Sequence, residues 1–476
     1  MSERVSIHGI WSSRMAFVLA AAGSAIGLGN IWKFPYITGE NGGGAFVLVY
    51  LLCVAVVGLP VMMSEILIGR RGRASPVNTM RYLASEAQRP RFWVLLGWSG
   101  MLAGVLIMSY YSVIAGWALA YVFKSAAGVL TDQTAEGIAS IFNGFVTSPE
   151  KLLAWHTIFM VMNAIVLSRG VRSGLEQATR FMMPVLFLLL LILVGYAYKT
   201  PSFERGLVFL FTPDFSKISA GGVLTAMGHA FFTLSLGMGA IMVYGSYLPR
   251  NSSIALAAIG IAFLDTLVAL LAGMAIFPLV FANNLAPGEG PGLIFQTLPV
   301  AFGHMPYGAG FGALFFIMVV LAAWTSGISL LEPAVAWLVE NRRMARIRAV
   351  ALVAITAWLL GILTIMSFSD WAFVFSFLGE VKRNGFYDLL DILTANFLLP
   401  LGGLAMAIFA TWCMLPASVA DELEMGNGLL FRGWYALTRY LTPLAVAIVF
   451  LHGLGLVQPV IRFVQGLFSV PVGGAA

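Results

Sequence analysis

The sequence predicts an all-α, polytopic membrane protein, and three observations carry that prediction. Of its 476 residues, 60% are hydrophobic and 10% charged, whereas a soluble domain carries roughly 25% charged residues. Apolar runs of about 20 residues, the length a helix needs to cross the hydrocarbon core, recur from end to end, and the mean hydropathy is +0.91. The short alternating segments of a closed barrel are absent.

Eleven spans are expected, near residues 12–37, 43–69, 91–124, 153–169, 175–198, 219–248, 253–282, 308–340, 347–368, 388–416 and 431–457. The chain then divides into an N-terminal segment 1–11, a five-span half 12–198, a linker 199–218, a second five-span half 219–416, the span 11 region 417–457 and a tail 458–476. Too little precedes span 1 for a cleavable signal peptide, and the tail holds no full-length span.

The net charge of +6 lies where a membrane protein keeps it, so nucleic acid is not an expected partner. Arg70, Arg71, Arg73, Arg81, Arg89 and Arg91 crowd the loop after span 2, and Arg342, Arg343, Arg346 and Arg348 the loop after span 8. Arg169, Arg172 and Arg250 follow spans 4 and 6. Basic loops mark the cytoplasmic side, which places the N-terminus inside. Of the outer loops, 125–152 mixes polar and apolar positions as a short surface helix would. The stretch from Ala286, "APGEGPGLIFQTLPVAF", is too short to span and reads as a re-entrant lid. Cys53 and Cys413 lie inside apolar segments, where packing is the expected role.

Spans 1 and 6 are abnormal. Span 1 carries "GSAIGLGNIWKFP" from Gly23, and span 6 "GHAFFTLSLGMGAIMVYGSY" from Gly228. Unwinding a helix in lipid leaves carbonyls and amides that cost several kcal/mol each unless they are satisfied. The carbonyls ending one half-helix suit Na⁺, and the amides starting the next suit a carboxylate. Gly23 and Gly27 also form GxxxG, a helix-packing motif, but packing alone leaves Asn30, Lys33 and the matching break in span 6 unexplained. Broken spans in corresponding places of two halves point to a transporter's binding site between inverted repeats.

The segments "AGSAIGLGNIWKFP", "ENGGGAF" from Glu40, "GLPVMMSEILIGRRG" from Gly58, "FFTLSLGMGA" from Phe231 and "TRYLTPL" from Thr438 resemble the neurotransmitter:sodium symporter family. The likeness runs in order from about residue 8 to 457 and is closest to prokaryotic, eleven-span members. It implies a five-plus-five inverted-repeat fold in a bacterial inner membrane, with Na⁺-coupled uptake by alternating access.

By that resemblance, a first sodium site falls on Ala25, Asn30, Thr233 and Asp265. A second falls on the carbonyls of Gly23, Ile26 and Ala322 with Thr325 and Ser326. The substrate pocket maps onto Ala25, Gly27, Leu28, Gly29, Ile107, Tyr111, Phe232, Thr233, Ser235, Met238, Ser326 and Leu330, with the Tyr111 hydroxyl on the substrate carboxylate. Relatives that carry monoamines have an aspartate at the position of Gly27. Here the substrate should bring its own carboxylate, and Ile107, Phe232, Met238 and Leu330 favour a neutral, apolar α-amino acid.

Three departures from the family pattern carry expectations of their own. Asp265 stands where many relatives have asparagine, beside the match to their chloride pocket at Tyr50, His229, Thr233, Asp265 and Ala269. A fixed carboxylate there implies two Na⁺ without chloride, and a proton could occupy it on the return step. Lys33 replaces the usual arginine of the outer gate, facing Asp391. His8 replaces that of the inner gate, ahead of Trp11 with Glu340 as partner, and Arg4 is the alternative. Glu65 is expected to brace the unwound part of span 6, and His156, His304 and His452 to be packing or interfacial residues.

Other classes fit less well. A channel wants a ring of like residues or a filter shared between subunits, and an enzyme wants a nucleophile or metal cluster, neither of which the sequence offers. A sensor on the same scaffold would keep the binding residues but not turn over. The oligomeric state is not legible.

Overall fold

The computed structural model describes residues 4, 6–285, 292–378, 380–426 and 428–457. The tail 458–476 and residues 286–291 of the expected lid lie outside the described residues. Among those described, nine helices are long and apolar enough to cross a membrane. They are span 2 (Gly44–Gly72), span 3 (Arg91–Ala126), span 4 (Pro149–Ser168) and span 5 (Val171–Tyr198) of the first half. The others are span 7 (Ile254–Ala282), span 8 (Gly308–Arg342), span 9 (Arg346–Met366), span 10 (Gly385–Cys413) and span 11 (Leu429–Gly453).

The two remaining spans are the broken ones. Span 1 consists of Arg14–Ala25 and Gly29–Glu40, bent by 55°. Span 6 consists of Ala220–Thr233 and Ala240–Ser246, with residues 234–239 between them. The first half-helix of span 1 and that of span 6 each begin on a serine. Ser13 Oγ accepts from Ala16 N at 3.1 Å and Ser219 Oγ from Gly222 N at 3.0 Å, which satisfies an amide the first turn leaves free.

Span 8 is the central post, lying along spans 3 and 5 and the inner half of span 1. Its most apolar window is 78% buried, against 22% for span 11 at the periphery. A helix that apolar all round belongs inside the bundle.

The loops 125–152 and 286–302 partly match expectation. Ala135–Val146 is the short helix foreseen within 125–152, with Ile138 and Phe145 buried beneath it. Leu293–Gly303 is a short apolar helix in the expected lid. Span 10 ends at Cys413 rather than 416, because Met414 turns extended and Pro416–Leu423 starts a separate helix. Not foreseen were the helix Pro76–Glu86 in the arginine-rich loop and a small hairpin of strands β1 (Phe375–Phe377) and β2 (Glu380–Lys382) after span 9.

Candidate functional site

The chain leaves the helix at Ile26 (ψ 102°) and resumes at Gly29. Asn30 ties the gap together: its Oδ1 accepts from Gly27 N at 3.1 Å, and its Nδ2 donates to Asp265 Oδ1 at 2.8 Å and Asp265 O at 3.0 Å. Thr233 Oγ1, at the break in span 6, donates to Asp265 Oδ2 at 3.1 Å. All three side chains are fully buried. The structure thus gathers Asn30, Thr233 and Asp265 into one polar cluster, with Ala25 on the neighbouring cavity wall.

The break in span 6 needs left-handed backbone at Ser235 (φ 54°), Gly237 (φ 84°) and Gly239 (φ 76°), which glycine adopts at little cost. The freed amides of Gly237 and Met242 donate to the two oxygens of buried Glu65, each at 3.2 Å. Glu65 braces the break as expected. Ser235 Oγ donates across to Ser24 O at 2.9 Å, joining the two broken spans.

A second group of oxygens lies between spans 1 and 8. Ser326 Oγ is 3.3 Å from Gly23 O and 3.2 Å from Ile26 O, and Thr325 Oγ1 is 3.0 Å from Ala322 O. A Cβ on Gly23 would come within 3.2 Å of Thr325 Cβ, so the helices meet closely here. Every expected residue of the second sodium site is in this group, and none carries a formal charge. Such neutral oxygens suit a hard, reversibly bound cation.

All twelve expected substrate residues line one cavity. Ser24 and Ser329 line it too and were not foreseen. Ser24 Oγ donates to Ser329 Oγ at 2.7 Å, and Ser329 Oγ donates to Ser326 O at 2.8 Å. Ser329 follows Ser326 by about one helical turn, the sequence signal that could have found it. A Cβ on Gly27 would lie 2.7 Å from Ser326 Oγ and 3.0 Å from Tyr111 Oη. The Tyr111 hydroxyl is buried beside Ser326 and the Leu28 backbone without a well-formed hydrogen bond.

At the end of the bundle that carries the N-terminal segment, His8 Nε2 lies 3.0 Å from Glu340 Oε1. Glu340 also accepts from Ser75 N at 2.8 Å and Asn78 Nδ2 at 2.7 Å. Buried Trp11 donates to Tyr247 O and, through Nε1, to Tyr244 O, both at 3.0 Å. Arg4, the alternative to His8, pairs instead with Glu86 at 2.9 Å. A further tie was not foreseen: buried Glu332 accepts from Tyr247 Oη at 2.8 Å and from Arg346 Nη2 at 2.5 Å. At the opposite end, Lys33 Nζ rests 4.5 Å from the centroid of the Phe232 ring rather than in an ion pair with Asp391. Phe232 lines both the central cavity and a neighbouring one that Lys33 and His229 also line.

His229 packs 5.5 Å from Tyr50, whose buried hydroxyl faces Asp265 and Thr233. Four of the five residues expected to match a chloride pocket, Tyr50, His229, Thr233 and Asp265, are therefore neighbours, and Ala269 lies one turn beyond Asp265 on span 7. His156, as expected, is a packing residue, buried with Nε2 3.2 Å from Trp358 O.

Comparison with known sequences decides the family. The profile of the Sodium:neurotransmitter symporter family matches residues 8–139 and 137–463. The chain belongs to that family. The sodium-dependent transporter YhdH of Bacillus subtilis (strain 168) is 36% identical over 463 residues, covering 96% of this chain and 100% of that protein. A sodium-dependent transporter of Haemophilus influenzae is 32% identical over 93% of this chain and 98% of its own. The crystal structure of MhsT in complex with L-phenylalanine superposes with a TM-score of 0.84 at 40% identity, over 94% of this chain and 99% of that one. The chain thus has the fold of MhsT and belongs with multi-pass, sodium-dependent membrane transporters, not with enzymes.

Proposed function

We propose that this member of the family is a symporter of a neutral, apolar α-amino acid. It would use two Na⁺ and alternate access between its half-repeats, 12–198 and 219–416, with its N-terminus in the cytoplasm. The observation that carries the substrate class is the crowding at Gly27. Ser326 Oγ and Tyr111 Oη occupy the place a side chain would take, so the pocket has no carboxylate of its own with which to meet an amine. A substrate carboxylate there can meet the Tyr111 hydroxyl and the amides opening the second half of span 1. The L-phenylalanine held by MhsT agrees with an apolar side chain against Ile107, Phe232, Met238 and Leu330.

In this reading Asn30, Thr233 and Asp265 hold one sodium with the Ala25 carbonyl and the substrate carboxylate. Gly23, Ile26, Ala322, Thr325 and Ser326 hold the other. Lys33 and Asp391 form the outer gate, and His8, Trp11 and Glu340 the inner gate. Two charges moved through about 100 mV release about 4.6 kcal/mol. That supports accumulation on the order of a thousandfold before the sodium gradient is counted.

The test is uptake of labelled neutral amino acids into proteoliposomes with and without an inward Na⁺ gradient. Concentrative uptake abolished by replacing Na⁺ with K⁺ is the expected result. Sodium-dependent binding without accumulation would mean a sensor, and no binding across the panel would overturn the substrate class. The fixed charge of Asp265 takes the place of an anion, so exchanging chloride for gluconate should leave uptake unchanged. Stimulation by chloride would remove that role from Asp265.

A further inference from the structure

The "TRYLTPL" segment of span 11 has no part in the site described above, yet it holds an arginine in a defined setting. The Arg439 guanidinium lies 4.4 Å from the Trp412 ring centroid and 5.7 Å from those of Tyr435 and Tyr440. The frame is itself fixed, with Trp412 Nε1 donating to Arg439 O at 2.9 Å and Tyr435 Oη to Thr411 O at 2.7 Å. Arg439 Nη1 reaches Tyr435 Oη at 3.3 Å, while its Nε is buried without an acceptor.

A second guanidinium sits on the same stretch of chain. Arg89 Nη2 donates to Trp412 O at 3.2 Å and its Nε to Cys413 O at 3.3 Å. Among the described residues, neither arginine has a carboxylate within 4 Å, whereas nearby Arg70 and Arg71 pair with Glu422 and Glu86. Helical side chains lean toward the N-terminus of their helix, so Arg439 leans toward the arginine-rich end of the bundle. The flanking surface is apolar and open, with Trp412 48%, Tyr440 62% and Leu444 60% exposed. An unpaired arginine at membrane depth is costly, and aromatic rings beside it are typical of the headgroup level.

We propose that Arg439 and Arg89, framed by Trp412 and Tyr440, bind the phosphate of an anionic phospholipid headgroup. The acyl chains lie along Leu444 and the outer face of span 11. The two positive charges complement the phosphate, and the exposed apolar flank selects a lipid over a free ion.

The full-length chain, purified in a neutral detergent, tests this by its thermal midpoint with added phosphatidylglycerol or phosphatidylcholine. Phosphatidylglycerol should stabilise the native chain more, and titration should place its apparent affinity about fivefold weaker for each arginine removed. Arg89→Gln keeps the test valid if Arg439→Gln fails to fold, and Arg439→Lys should retain most of the effect. The separate stabilisation by Na⁺ with an amino acid should be unchanged in Arg89→Gln. Equal stabilisation by the two lipids, or an undiminished phosphatidylglycerol effect in the folded variants, would overturn the proposal. Inorganic phosphate reproducing the effect would also overturn it, since the site would then read a free anion.

Discussion

The two oxygen clusters flanking the cavity are built on opposite principles. One is organised by a buried carboxylate, with Asn30 Nδ2 at 2.8 Å and Thr233 Oγ1 at 3.1 Å from Asp265. The other, around Thr325 and Ser326, has only hydroxyls and carbonyls. A charged cluster binds a cation strongly but must be neutralised when the cation leaves. A neutral cluster binds weakly and can empty at little cost. The difference suggests a division of labour in which the first site responds to protons and the second only to sodium.

The largest effect should come from removing the charge. Asp265→Ala strips Asn30 and Thr233 of their shared acceptor and leaves sodium without a counter-charge. Breaking a buried charged interaction costs about 3 kcal/mol or more, so sodium-stimulated amino acid binding should fall by on the order of a hundredfold. A loss of only a few-fold, in protein that still folds, would mean that the carboxylate does not organise the site.

Thr325→Val probes the neutral cluster. It removes one oxygen of the set while keeping the shape, and the threonine also bonds the Ala322 carbonyl at 3.0 Å. About 1.4 kcal/mol, or a tenfold rise in the sodium concentration for half-maximal binding, is expected. If this variant were more damaging than Asp265→Ala, the ranking of the two clusters would be reversed.

The broken spans were legible in the sequence because glycines, an asparagine and hydroxyl residues stand out within apolar runs. The eleven spans were legible for the same reason, since lipid imposes a composition. Ser24 and Ser329 were missed because a small hydroxyl residue in a membrane helix more often satisfies its own backbone. The tie between Tyr247, Glu332 and Arg346 joins three separate elements, which no local pattern encodes. The same holds for Arg4, whose partner Glu86 sits on a helix hidden within a charge-dense loop.

A proton distinguishes the clusters more gently. When sodium leaves the first site, Asp265 would be a lone charge in a dry place, so protons should compete with sodium there and not at Thr325. Acidification should raise the half-maximal sodium concentration. The dependence should vanish in Asp265→Asn and persist in Thr325→Val. A pH effect surviving in Asp265→Asn would remove the proton dependence from this carboxylate.

The smallest effect is expected at Lys33, which is proposed for the outer gate. Lys33 rests on the Phe232 ring at 4.5 Å, so the cation covers the aromatic wall of the cavity instead of locking to Asp391. Arginine would keep the charge, stack more flatly on the ring and add a planar fork able to reach a carboxylate. Lys33→Arg should therefore slow release of bound amino acid to the outside about twofold, an energy of about 0.4 kcal/mol. Sodium affinity at either cluster should stay unchanged, because the substitution alters closure and not the oxygens. Faster release in Lys33→Arg would mean that the bulkier head obstructs the closing contact with Asp391 rather than strengthening it.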